Sequence, residues 1–171
     1  MTNGPYPGAR VVCGILRNVF LTPLRAVALA TVGGVSTTWQ DPEAVRQMLD
    51  DAQTWAIVGL STDTGRTAYS IAALLQERGK RIVPIHPSAP TVLGEQGYAT
   101  LADIPFDIDV VDVFRRSEAA GEFADQAVAI GARGVWFQLG VVDEDAFERT
   151  TAAGVPMVMD TCPAIEWRRR G

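Results

Sequence analysis

The stretch T-W-A-I-V-G-L-S-T-D-T-G-R-T-A-Y, Thr54 to Tyr69, decides the fold. It opens as a short apolar run, Trp55 to Val58. It breaks at Gly59 into a polar loop and resumes with helical spacing near Thr67. A strand, a glycine turn and a helix in that order form the entry unit of an α/β sheet. A helix that starts in this way presents free N–H groups and a partial positive charge, which together attract phosphate.

Outward from this unit the pattern repeats. Apolar runs recur at Arg81–Ile85, Asp109–Phe114, Gly134–Leu139 and Val155–Met159, spaced like successive βα units. Helical segments fill the gaps. Asp41 before Pro42 is a strong helix start, with Val45, Met48, Leu49 and Ala52 on one face. Ala68, Ile71, Ala72 and Leu75 form a second stripe, stopped by Gly79. Ser117 is placed to cap a third helix with Ala120, Phe123, Ala124, Ala127 and Val128 inward. Asp143 is placed to cap a fourth, ended by Gly154. Between the second and third runs, Pro87 to Phe106 reads as loop with one turn at Leu101–Ile104. Strands apolar on both faces and alternating with helices imply a parallel sheet covered on both sides. The expected architecture is a Rossmann-like, doubly wound parallel five-stranded sheet in the order 3-2-1-4-5, a single domain over residues 39–171. Ligands of such sheets bind beyond the carboxyl ends of the strands, where strand order reverses.

Residues 1–38 read differently. Met1 to Gly8 is rich in Pro and Gly, and Val11–Val35 is apolar but broken by Arg17, Pro23 and Arg25. The uncharged run Ala26–Gln40 is too short and too rich in Gly and Thr to span a bilayer. Arg17 and Arg25 before A-V-A-L-A-T-V-G-G-V faintly resemble a signal peptide. The favoured expectation is a poorly structured extension, as a start codon chosen too far upstream would give. The formal net charge of −5 disfavours nucleic acid as a partner, so any polyanion must be held by local features. Two distant cysteines, Cys13 and Cys162, form no C-x-x-C, which points to a reduced, cytoplasmic setting. Trp39, Trp55, Trp136 and Trp167 read as core rather than as a dimer surface, and a homo-oligomer is left open.

The strand ends carry the candidate chemistry. Gly59 to Arg66 matches G-x-S-x-x-x-x-R, with Ser61 where a dinucleotide fingerprint has its second glycine. Ser61 and Thr62 offer hydroxyls, and Arg66 offers a bidentate phosphate partner. The second run ends V-P-I-H-P, and no carboxylate lies between Arg78 and Gly94 to hold the ribose hydroxyls of NAD. His86 either contacts a ribose or adenine or holds the strand-end loop; the sequence leaves both readings open. Phe114 and Arg115 offer an aromatic and a cationic surface, whereas Arg116 reads as a solvated charge. The fourth run ends F-Q-L-G, with Gln138 and Gly140 at the rim, and Asp160 and Cys162 follow the fifth. The P-loop spacing and the G-x-S-x-G elbow are absent, and one histidine with two separated cysteines makes no typical zinc site. These features indicate binding without an evident catalytic apparatus.

From Trp39 to Gly171 the chain resembles the small stand-alone CoA-binding domain proteins, which are similar to the CoA-binding domain of the succinyl-CoA synthetase α subunit. The resemblance rests on V-G-L-S with Arg66 downstream, V-P-I-x-P at Val83–Pro87 and L-G-E-Q-G-Y-A-T-L-A-D-I-P at Leu93–Pro105. It also rests on V-D-V-F-R at Val111–Arg115, Q-L-G-V at Gln138–Val141 and M-D-T-C-P-A-I-E at Met159–Glu166. It implies a Rossmann fold that binds coenzyme A, with acyl-CoA as a further ligand. Gly59, Ser61 and Arg66 would face the phosphates. Pro87, Phe114 and Arg115 would flank the adenosine part, and Gln138 and Gly140 would line the site further along. The chain departs from the family at His86, where asparagine or serine is usual, and at Thr161, where arginine is usual. The second departure removes one positive charge from the rim. The resemblance does not extend to the phosphohistidine and ligase-partner domain of the synthetase, so synthetase activity does not transfer. Two competing expectations are an NAD(P)-dependent oxidoreductase and a redox role in which Cys162 forms a mixed disulfide with the CoA thiol.

Overall fold

The structure is a computed structural model that describes residues 38–170. The expectation for residues 1–38 therefore lies outside the described residues, Thr38 apart. Residues 38–170 belong to one compact unit.

The chain enters through α1 (Pro42–Asp50), capped by Asp41, whose carboxylate accepts from the Glu43 N–H. It then alternates β1 (Thr54–Val58), α2 (Thr67–Glu77) and β2 (Arg81–Ile85). A long connection with one 3-10 turn at Leu101–Asp103 leads to β3 (Val110–Val113). The rest is α3 (Gly121–Ala129), β4 (Gly134–Phe137), α4 (Glu144–Ala152), β5 (Met157–Val158) and α5 (Pro163–Arg169). Asp143 caps α4 as its sequence position implies, accepting from the Ala146 N–H at 2.9 Å. Ser117 does not cap α3. A 3-10 turn at Ser117–Ala119 intervenes, and Ser117 Oγ instead accepts from the Val142 N–H at 3.0 Å, tying the loop after β3 to the loop after β4.

All sheet pairings are parallel, and the order is β2-β1-β3-β4-β5. This corrects the expected 3-2-1-4-5. The outer edge of β2 is already occupied by its own exit loop. Tyr98 N donates to Pro84 O at 2.9 Å, and His86 N donates to Tyr98 O at 3.0 Å. With that edge covered, β3 pairs on the free side of β1, and strand order reverses between β1 and β3.

Alternation along each strand sends side chains into two separate cores. Ala56, Val58, Val83, Val111, Val113, Val135 and Phe137 pack against α3 and α4. Trp55, Ile57, Ile82, Val110, Trp136 and Val158 pack against α1, α2 and α5. Trp55 and Trp136 are fully buried with ring centroids 5.9 Å apart, and Trp136 Nε1 donates to Thr161 O at 3.0 Å. With Trp167 also buried, these tryptophans are core. No helix among the described residues is long and apolar enough to cross a membrane.

The switch point is fixed by backbone. Gly59 N donates to Ile85 O at 2.8 Å, and Phe114 N donates to Val58 O at 3.0 Å. Gly59 has φ +91°, and a Cβ there would sit 2.9 Å from the Phe114 carbonyl oxygen. Gly59→Ala combines left-handed strain with a backbone clash, so it should cost about 2 kcal/mol or more. Urea denaturation checks this; an unchanged midpoint would contradict the assigned contact.

Candidate functional site

The reversal of strand order splays the loops after β1 and β3 and opens a cavity of about 850 Å³ at the carboxyl edge of the sheet. Gly59, Gly65, Arg66, Thr67 and Ala68 form one wall, and Phe114, Arg115, Arg116 and Ala119 the next. Gln138, Leu139 and Val141 follow from the loop after β4, and Cys162 and Ile165 from the start of α5.

The wall from β1 to α2 is a backbone donor surface. Helix α2 has eleven residues and no side-chain cap at Arg66. Its first-turn N–H groups therefore lack intrahelical acceptors where Thr67 and Ala68 line the cavity. The loop is held open by its own contacts: Asp63 Oδ1 accepts from Gly65 N at 3.0 Å, and Ser61 Oγ accepts from Asp63 N. The three arginines on the walls, Arg66, Arg115 and Arg116, are exposed. None of them has an ion pair among the described residues. Arg115 lies over the Phe123 ring at 5.7 Å, a contact that steers its guanidinium without neutralising it. Among the described residues no carboxylate or imidazole lines the cavity. A chain of net charge −5 has thus gathered unpaired positive charge at one concave spot.

Beneath the cavity floor lies a buried polar pair. Asp112 sits mid-strand in β3 with no exposed surface, on the face shared with Ile57 and Trp136. Gln138 Nε2 donates to both of its oxygens, at 2.7 and 2.9 Å. Burial dominates the pair's electrostatics. It pushes the Asp112 carboxyl up to about 8, against the smaller opposing effect of the Gln138 hydrogen bonds.

Of the residues singled out from sequence, Gly59, Arg66, Phe114, Arg115 and Gln138 meet around this cavity. Ser61, His86, Pro87 and Gly140 lie off its wall. The Gly140 N–H is taken by Asp160 Oδ1 at 2.8 Å. His86 Nδ1 accepts from the Ser88 N–H at 3.2 Å and lies 2.8 Å from Ser88 Oγ, an arrangement that ties down the strand-end loop. Arg116, read from sequence as a solvated charge, is exposed on the cavity wall. Asp112 is not among the residues that the sequence pattern singles out. The available signal was a carboxylate inside a strand whose neighbours are all apolar. Among the described residues no group of three or more His, Cys, Asp and Glu side chains is placed to hold a metal ion.

Fold and cavity together define a doubly wound α/β protein with an arginine-rimmed cavity at its switch point. Residues 53–168 match the CoA binding domain family, and the chain belongs to that family. It is 32% identical over 118 residues to the uncharacterized protein YneT of Bacillus subtilis, covering 69% of this chain and 87% of the relative. Among solved structures it is similar to a hypothetical protein from Pyrococcus horikoshii, with TM-score 0.70 and 33% identity over 74% of this chain and 89% of that one. The fold alone is shared with the dinucleotide forming acetyl-coenzyme A synthetase 1 of Ca. Korarchaeum cryptofilum. There the TM-score is 0.56 and the identity 20%, over 65% of this chain and 26% of that longer one.

The buried carboxyl makes a stability prediction. Its folded pKa is raised from 3.8 to about 8, so the folded state holds the proton more tightly than the unfolded chain does. The favourable contribution is complete below about pH 4 and is lost as pH rises through about 8. Measured against Asp112→Asn, the wild type should lose relative stability steadily across that window. A difference that does not vary with pH would contradict the assigned burial.

Proposed function

We propose that this protein binds coenzyme A in the cavity at the β1/β3 switch point. The phosphates sit against the Gly59–Ala68 wall and the three arginines, and the thiol end extends towards Leu139, Cys162 and Ile165. The observation that carries the reading is the set of unpaired guanidinium groups beside an uncapped helix N-terminus. Each such contact forms charge-assisted hydrogen bonds with phosphate oxygens. Phe114, half-buried on the same wall, offers a face for the adenine. Membership of the CoA binding domain family supports the same ligand.

The volume suits a ligand of this size, within the ~300–1,000 Å³ range of small-molecule sites. Leu139, 61% exposed, with Val141 and Ile165 gives the far end an apolar lining that accommodates a short acyl group, so acyl-CoA is included. Among the described residues the walls offer one thiol, Cys162, and no carboxylate or imidazole. Holding the ligand, rather than transforming it, is the role this lining supports. Of the residues off the wall, Ser61 contributes by shaping the loop through Asp63 N. An NAD site finds no support at the end of β2, where Ile85 passes into His86 and Pro87 without a carboxylate.

Titration calorimetry should show CoA binding and no comparable response to NAD. Arg66→Ala should weaken CoA binding by ~1.5–3 kcal/mol. Binding of NAD with no response to CoA would sink the reading, and an unchanged Arg66→Ala affinity would remove that side chain from the site.

A second reading is favoured by the position of Cys162 on the cavity wall, half-buried and without a disulfide partner among the described residues. Its thiolate can attack the disulfide form of CoA, forming a protein–CoA mixed disulfide and releasing one CoA thiolate. Intact-protein mass after incubation with CoA disulfide should gain one CoA, and Cys162→Ser should abolish the gain. An adduct that persists in Cys162→Ser would assign the chemistry elsewhere.

A further inference from the structure

Gln138 is 5% exposed, lines the cavity, and commits its Nε2 to Asp112. Its Oε1 takes no donor from the described residues, yet it is not among the side-chain atoms sealed from solvent without a partner. The amide therefore has one end fixed below the floor and the other open to the cavity.

We propose that Asp112 is a positioning residue for the ligand: by accepting from Gln138 Nε2, it turns Gln138 Oε1 into the cavity as the acceptor for a ligand N–H. This rests on the reading of the cavity as the CoA site. A carboxylate only accepts, so ionised Asp112 admits only the orientation with Nε2 inward. A protonated carboxyl also donates, so it admits the flipped amide, which would present an N–H to the ligand instead. The ligand's donors are the amide N–H groups of the pantetheine arm or the exocyclic amine of adenine. The shared chemistry is a neutral N–H, and phosphate, which only accepts, is excluded from this spot.

The buried groups packed on that face from α1, α2 and α5 are apolar, Val45, Met48, Ala68, Ala72 and Trp167 among them. Partly buried titratable groups around that core are Tyr69 on α2, Asp160 and Cys162 before α5, and Glu166 on α5; Asp160 accepts from Gly140 N, and Glu166 accepts from Thr161 Oγ1 and Arg169. The charged groups at the mouth are Arg66, Arg115 and Arg116. Burial and Gln138 are what act on the Asp112 carboxyl, and they set its midpoint near 8.

The test uses the full chain, Asp112→Asn, Gln138→Leu and the double variant. Titration with CoA is done at about pH 6.5 and about pH 9, either side of the Asp112 midpoint. At the higher pH Asp112→Asn should bind CoA about three- to tenfold more weakly than wild type. The ratio should shrink at the lower pH, and taking a ratio cancels the ligand's own titration. The double variant should bind no more weakly than Gln138→Leu alone. Pantetheine 4′-phosphate and adenosine 3′,5′-bisphosphate locate the donor, because only the fragment carrying it should show the loss. In the ligand-free protein, the Gln138 side-chain NH₂ resonances should titrate with the Asp112 midpoint and stop doing so in Asp112→Asn. That signal is read even if Gln138→Leu folds poorly. Additive losses, a pH-independent ratio, loss with neither fragment, or NH₂ resonances that do not titrate would each overturn the proposal while CoA binding stands. A wild type that ignores CoA overturns the site reading first, and this proposal with it.

Discussion

The close approach of Gly59 to the Phe114 carbonyl is the constraint on which the site depends. Two parallel strands, β1 and β3, end side by side with their chains leaving towards opposite faces of the sheet. Gly59 takes a left-handed turn where a side chain would strike the neighbouring backbone. That turn sends the β1 loop away from the β3 loop and leaves a cleft between them. The arginines on the two loops come from separate parts of the sequence, and the reversal of strand order brings them to one mouth.

Electrostatics then acts on a prepared shape. An acidic chain does not attract polyanions as a whole, so the attraction has to be local. Unpaired guanidinium groups and the first turn of α2 supply it, while Asp63 is occupied in folding the loop rather than in neutralising Arg66. Below this wet, positive rim the chemistry reverses. Asp112 is sealed in an apolar core and held by a single amide, so it keeps its proton where an exposed carboxylate would lose it. Gln138 joins the two regimes, with one end in the dry interior and the other at the ligand.

Much of this was legible in the sequence. The periodic apolar runs, the Asp41-Pro42 and Asp143 caps, and the polar loop after Val58 marked the sheet, its helices and the site's main wall. The strand order differs from the one the pattern suggests, although Pro84 held the clue. Proline lacks an N–H and belongs on an edge strand, and an order of 3-2-1-4-5 would have placed it inside the sheet. In the structure β2 is the edge, and the Pro84 carbonyl meets only the returning loop at Tyr98. Position alone makes Ser117 look like a cap. Its bond to Val142 is long-range, and no local pattern announces it. Likewise Cys162 and Ile165 reach the cavity from the end of β5, beside the β4 loop, while Gly140 and His86 lie off its wall with polar atoms bonded to Asp160 and Ser88.

The central claim is that the loops after β1 and β3 jointly hold the phosphates of coenzyme A. A crystal structure of the protein with CoA tests it most directly. Phosphate oxygens within hydrogen-bonding distance of the Arg66 guanidinium and of the backbone N–H groups at Thr67 and Ala68, with the ligand passing over Phe114, is the expected result. CoA seated away from the β1/β3 cleft, or bound there with its phosphates in solvent and its thiol end against Arg66, would contradict it.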